Sequence, residues 1–175
     1  MYKVMIVEDD PMVAMINEQF VNRSRDFSVA YKCNNGEDAL TLLEDHPVDL
    51  IIMDVYMPRL DGIETLKKIR EKDLPVSVIM VTAANDNKTV EEAIRLGAVD
   101  YLVKPFTFER FRQGLEKFRS NKEVLDTESA LNQKNIDILL GNAPAARPSL
   151  VSRKDAGWPC YNPLYRHIFA LLLYP

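Results

Sequence analysis

The sequence predicts a doubly wound α/β domain, a parallel sheet with helices on both faces. Three observations carry this expectation. Between residues 2 and about 122, short apolar segments alternate strictly with amphipathic ones, five of each. That alternation implies parallel strands joined by right-handed crossovers. The segment Asp49-Leu50-Ile51-Ile52-Met53-Asp54 is apolar on both faces, as a strand buried from two sides requires. Finally, 47% hydrophobic and 27% charged residues describe a globular chain, not a disordered one.

The elements run in order along the chain. Tyr2 to Val7 is a β-branched apolar run and reads as the first strand. Pro11 suits a first helical turn with Asp10 as its cap, and Val13, Ile16, Phe20 and Val21 recur at helical spacing. Phe27 to Cys33 is the second strand. Asn35-Gly36 predicts a turn, Ala39 to Leu43 a second helix, and His46-Pro47 its end. Asp49 to Asp54 is the third strand. A loop with Pro58 and Gly62 leads to a helix carrying Ile63, Leu66 and Ile69 on one side. Val76 to Val81 is the fourth strand, Asp86 to Leu96 the fourth helix, and Gly97 its stop. Asp100 to Val103 is the short fifth strand, and Thr107 caps a last helix to about residue 122.

Charge divides the chain. Residues 1–142 hold 18 Lys and Arg against 25 Asp and Glu, a net of −7. Residues 143–175 hold four basic residues, one acid (Asp155), five of the ten prolines and the single tryptophan. The acidic body argues against nucleic-acid binding through residues 1–142. Cys33 and Cys160 are too few and too distant for a disulfide framework or a zinc site. The opening MYKVMIVEDD has no signal-peptide pattern, and no apolar run reaches the ~18 residues of a membrane span. The expectation is a cytoplasmic protein with no membrane partner.

In an open parallel sheet the site lies beyond the carboxyl ends of the strands. Those ends carry Glu8-Asp9-Asp10, Asp54, Thr82 and Lys104-Pro105. Each alone reads equally well as a loop acid, a cap or a surface lysine. Their shared address is the feature that points to chemistry. Carboxylates gathered within a few ångströms repel one another, and a hard divalent cation such as Mg²⁺ removes the conflict. Asp54 is a candidate nucleophile, because carboxylates form acyl-phosphates. Lys104 would set a positive charge, and Thr82 a hydroxyl donor, against phosphoryl oxygens.

Four motifs, VEDD at 7–10, Asp54 with MPRLDG at 57–62, Thr82-Ala83-Ala84 and Lys104-Pro105-Phe106, resemble the receiver domain of two-component response regulators. The whole chain resembles the regulators of citrate and C4-dicarboxylate sensing, whose receiver precedes a DNA-binding domain. The resemblance implies a flavodoxin-like strand order, 2-1-3-4-5. It implies that Asp54 accepts a phosphoryl group from a sensor histidine kinase. It assigns Mg²⁺ to Glu8, Asp9, Asp54 and the backbone carbonyl of Tyr56, and phosphoryl contacts to Thr82 and Lys104. Thr82 and Tyr101 become the switch, with Tyr101 packing inward on activation. The surface of helix 4, strand 5 and helix 5 would then change, and it is a candidate for homodimerisation. Tyr56 and Ala84 fall at positions that tune acyl-phosphate hydrolysis in the family. Such a protein catalyses only its own phosphorylation and dephosphorylation.

The expected organisation is a receiver at 1–122, a linker or stub of an output domain at 123–142, and a disordered, aberrant tail at 143–175. NIDILL at 135–140 offers one short helix, and Pro144, Pro148, Pro159 and Pro163 interrupt the remainder of the chain. With no recognition helix legible, DNA becomes a partner only where an output domain is present, and the tail reads as truncated or frame-shifted. The alternatives are an Mg²⁺-dependent phosphatase with an aspartyl nucleophile and an intact transcription factor with a divergent DNA-binding tail. The phosphatase class expects an acid two residues after the nucleophile, where Tyr56 stands. A flavodoxin-type binder shares the topology but needs a phosphate-cradling loop where Glu8-Asp9-Asp10 stands.

Overall fold

The computed structural model describes residues 1–83 and 87–126. Five strands form one parallel sheet in the order β2-β1-β3-β4-β5. They are β1 (Tyr2–Val7), β2 (Phe27–Cys33), β3 (Leu50–Asp54), β4 (Ser77–Thr82) and β5 (Asp100–Val103). The helices are α1 (Pro11–Asn22), α2 (Gly36–Asp45), α3 (Gly62–Glu71), α4 (Asn87–Arg95) and α5 (Phe108–Asp126). The doubly wound expectation and its strand order hold.

Alternate strand residues serve two cores, as the two-residue period of a strand requires. Met5, Val7, Ile51, Met53, Val78 and Met80 pack with α2, α3 and Ala93 of α4 on one face. Val4, Ile52, Ile79, Val81 and Leu102 meet Val21 of α1 and Phe111, Leu115 and Phe118 of α5 on the other. Fully buried Leu50 to Met53 in the middle of the sheet explains why that segment is apolar on both sides.

Local chemistry sets the helix starts. Asp10 accepts from the amides of Met12 (2.8 Å) and Val13 (3.3 Å). Asn35 accepts from Asp38 N at 3.0 Å, so Asn35-Gly36 is the cap and first residue of α2, not a free-standing turn. Asp61 caps α3 through Glu64 N at 2.8 Å, and Thr107 caps α5 through Arg110 N at 3.3 Å. Gly36 is required for space: a Cβ there would stand 1.8 Å from Thr65 Oγ1. Gly97, at φ +72°, ends the α4 segment in the left-handed region.

Some boundaries differ from the sequence reading. The last helix does not stop near residue 122 but runs to Asp126. No glycine, proline or capping residue lies between 122 and 126 to end it. β3 starts at Leu50, β4 shifts by one residue to Ser77–Thr82, and α4 ends at Arg95. The expected linker beyond residue 126, the 135–140 helix, the 143–175 tail and Ala84 lie outside the described residues.

Candidate functional site

The carboxyl ends of β1, β3, β4 and β5 come together on one edge of the sheet. Glu8 follows β1 and is 3% exposed, although it is charged. Its amide donates to Cys33 O at 3.0 Å, which fixes the strand exit. Asp54 ends β3 and is 5% exposed. Ligand oxygens of Glu8, Asp9 and Asp54 lie within 4.8 Å of one another. The third acid of the run, Asp10, is occupied by capping α1, so the three neighbours have different duties.

Lys104 spans the cluster from β5. Its Nζ donates to Glu8 Oε2 at 2.9 Å and to Asp54 Oδ1 at 2.8 Å. Its backbone amide donates to Thr82 O at 2.7 Å, which fastens the Lys104 chain to the end of β4. The Lys104–Pro105 peptide is cis. Thr82 itself is fully buried on the neighbouring strand. The second oxygen of Asp54, Oδ2, accepts the amide of Tyr56 at 3.0 Å, which brings the Tyr56 backbone to the cluster. The Tyr56 side chain stands 51% exposed at the rim.

The electrostatics follow from this crowding. Burial pushes the Glu8 carboxyl above its ordinary range; Lys104 opposes that and Asp54 reinforces it. Burial would lower the Lys104 ammonium, but its bonds to Asp54 and Glu8 outweigh that and hold it above its usual value. Two buried carboxylates and one exposed one share a single ammonium, so the cluster keeps excess negative charge. An all-oxygen donor set of that kind suits a hard divalent cation.

Every residue expected at the site is on the same edge except Tyr101. Tyr101 lies in β5 opposite Met80, half-buried against the α2–α4 core, with its hydroxyl enclosed. Sequence reasoning misses one contributor. Gly62 sits so close to the loop after β3 that a Cβ would stand 2.2 Å from Asp54 O. Its amide donates to Val55 O at 2.8 Å. A glycine directly after the capping Asp61 is the available signal.

The comparisons with known proteins agree with this architecture. A family model described as the response regulator receiver domain matches residues 4–116, a span that contains every site residue named above. The probable C4-dicarboxylate response regulator DctR of Bacillus subtilis (strain 168) is 42% identical over 139 residues, 79% of this chain and 62% of its own length. The transcriptional regulatory protein CitT of Halalkalibacterium halodurans is 42% identical over 141 residues, 79% of this chain and 61% of its own. The matched part therefore spans about three fifths of these relatives. Among solved structures, a LuxR-family DNA-binding response regulator from Staphylococcus aureus superposes with TM-score 0.64 at 29% identity, covering 67% of this chain and 98% of that one. The response regulator domain of Thermotoga maritima CheB gives 0.61 at 33%, covering 67% and 93%.

Proposed function

The chain belongs to the response regulator receiver family, and we propose from that premise that Asp54 accepts a phosphoryl group from a sensor histidine kinase. The observation that carries the reading is the bridge from Lys104 to Glu8 and Asp54 at the ends of three strands. An Asp54 oxygen attacks the phosphorus of a phosphohistidine while the P–N bond breaks and the ring nitrogen leaves. In-line approach and charge neutralisation dominate such a step, and no general base is needed. Lys104 Nζ, already 2.8 Å from Asp54 Oδ1, follows the charge onto the phosphoryl oxygens. The Thr82 hydroxyl donates to the same oxygens.

The donor set fits Mg²⁺, which would be held by Glu8, Asp9, Asp54 and the Tyr56 carbonyl. When bound, it would neutralise charge between the carboxylates and the incoming phosphoryl group. The Tyr56 ring at the rim is suited to shield the acyl-phosphate from water. Replacing it by Asn should shorten the phosphate lifetime, and an unchanged half-life would remove this role.

Phosphorylation adds roughly −1.5 to −2 charges and strong acceptors at Asp54. Thr82 and Lys104 turn toward them, and Tyr101 packs deeper into the space released. A two-state equilibrium is required, because the phosphate must favour one state. The switched surface is α4, β5 and α5, where Ile94 (65% exposed) and Val103 (37%) supply apolar area for a partner or a second copy. The relatives' names place such proteins in transcriptional regulation, so DNA control through an output domain is the proposed role, in the cytoplasm. No helix among the described residues is long and apolar enough to cross a membrane. An aspartyl-nucleophile phosphatase is disfavoured, because Tyr56 cannot supply the second acid.

Intact-mass measurement after incubation with acetyl phosphate and Mg²⁺ tests the reading. One phosphate adduct on the native chain and none on Asp54→Ala is expected. Labelling of Asp54→Ala, or none of the native chain, would overturn it.

A further inference from the structure

A second chemically distinct place lies on the α1–α5 side of the domain. A groove of about 270 Å³ runs between the end of α1, the start of β2 and the first three turns of α5. Arg23, Arg25, Arg112 and Arg119 line it. Residues 1–126 contain eight arginines and nine lysines, yet the groove takes four arginines and no lysine. Arginine's planar fork matches oxyanions in a way that a lysine point charge does not.

Two of these charges are already compensated. Asp26 (3.1 Å) and Glu123 (3.7 Å) pair with Arg119, and Glu109 and Glu116 pair with Arg112. Arg23 and Arg25 pair with no carboxylate among the described residues, and both are exposed. Arg23 is held over the Phe108 ring, 4.2 Å from its centroid, so its guanidinium is ordered without a counter-ion. The carbonyls at the end of α1 explain a cation at Arg23. Arg112 and Arg119 repeat two turns apart along the facing helix, roughly 10 Å, and each is neutralised by its own pair of carboxylates, which leaves Arg23 and Arg25 as the groove's unmatched cations. Phe27 and Leu115 give the groove an apolar floor.

We propose that this groove binds a small diphosphate-bearing anion. Two uncompensated guanidinium groups call for at least a divalent ligand. Tetrahedral phosphates present enough acceptor oxygens for both, while Arg112 and Arg119, each held between two carboxylates, border the site. The cavity is near the lower bound of ordinary small-molecule sites, which suits a compact ligand. Occupancy would bridge the α1–β2 corner to the first three turns of α5.

Titration calorimetry on the full 175-residue chain tests this, with pyrophosphate and ADP as separate probes. EDTA is included to keep divalent cations away from the Asp54 cluster. Saturable one-to-one binding is expected, with Asp54→Ala unchanged. R23Q/R25Q should lose roughly tenfold or more in affinity, while R59Q/R95Q, with the same charge change elsewhere, stays within about twofold. R25Q alone, at an exposed side chain, gives the same direction where the double variant folds poorly. Tighter ADP binding assigns a nucleotide, and equal binding assigns the diphosphate group alone. No saturable binding, equal losses in both double variants, or equal affinity for succinate would overturn the proposal.

Discussion

Lys104→Met keeps the length of the side chain and removes its ammonium. In the native domain that ammonium lies 2.9 Å from Glu8 and 2.8 Å from Asp54, whose side chains are 2% and 7% exposed. Without it, two buried carboxylates face each other with Asp9 in the same cluster. Breaking a buried ion pair from one side costs about 3–5 kcal/mol. The lysine is 21% exposed and the carboxyls can take up a proton, so the lower end, about 3 kcal/mol, applies here. For a domain of this size that corresponds to a fall in Tm of roughly 10 °C. The loss should depend on pH. Glu8 is already held above its ordinary range by burial, and removing Lys104 raises it further. A raised carboxyl favours the fold while protonated and loses that advantage as pH rises through its folded-state value. The variant should therefore melt closer to the native chain near pH 5 than near pH 8. Millimolar Mg²⁺ should stabilise the variant more than the native chain, because it replaces the missing positive charge. Melting curves followed by circular dichroism at both pH values, with and without Mg²⁺, provide the assay. A deficit below about 3 °C near pH 8, or a larger deficit near pH 5, would refute the reasoning.

Three further outcomes concern residues outside the cluster. Asn17 is 1% exposed, and its Oδ1 has no hydrogen-bond partner among the described residues. Asn17→Leu should therefore raise stability by about 1–2 kcal/mol in urea unfolding, and a lowered midpoint would contradict this. Arg70 donates to Leu96 O (2.9 Å), Val76 O (3.0 Å) and Gly97 O (3.4 Å), tying α3 to the end of α4. Arg70→Met should cost about 2–3 kcal/mol and speed amide exchange at the C-terminal turn of α4, whereas unchanged exchange there would show the tie to be idle. Cys33 is 5% exposed, and burial raises its thiol from 9.0 to about 11. Peptide mapping after iodoacetamide treatment near pH 8 should find Cys33 unmodified in the native chain and modified in urea. The thiol's contribution to stability is whole below pH 9.0 and lost as pH approaches about 11.

Much of the architecture is legible in the chain because each signal is local. Tyr2–Val7, Phe27–Cys33 and Asp100–Val103 are apolar runs with polar flanks, and their bounds are those of β1, β2 and β5. Asp10 and Thr107 announce α1 and α5 through side-chain caps. The end of α5 is not legible, because Lys122 to Asp126 contains nothing that breaks a helix. The site residues can be named from their strand-end addresses, but not their division of labour. Asp10 caps a helix while Glu8 is buried under Lys104, a partner 96 residues away. Gly36 and Gly62 are likewise explained only by tertiary approach, to Thr65 and to Asp54 O. Asn17 sits at a polar letter in an amphipathic helix, and only packing reveals that it faces inward.

The central claim is that Asp54 carries the phosphoryl group. The direct measurement is borohydride reduction of the acetyl-phosphate-treated chain, followed by tandem mass spectrometry of its peptides. An acyl-phosphate is reduced to the alcohol, so the modified aspartate becomes homoserine. The account predicts homoserine at position 54 alone, dependent on Mg²⁺ during labelling. Homoserine at Asp9 or elsewhere, or an unreduced Asp54 in a chain that carries phosphate, would contradict it.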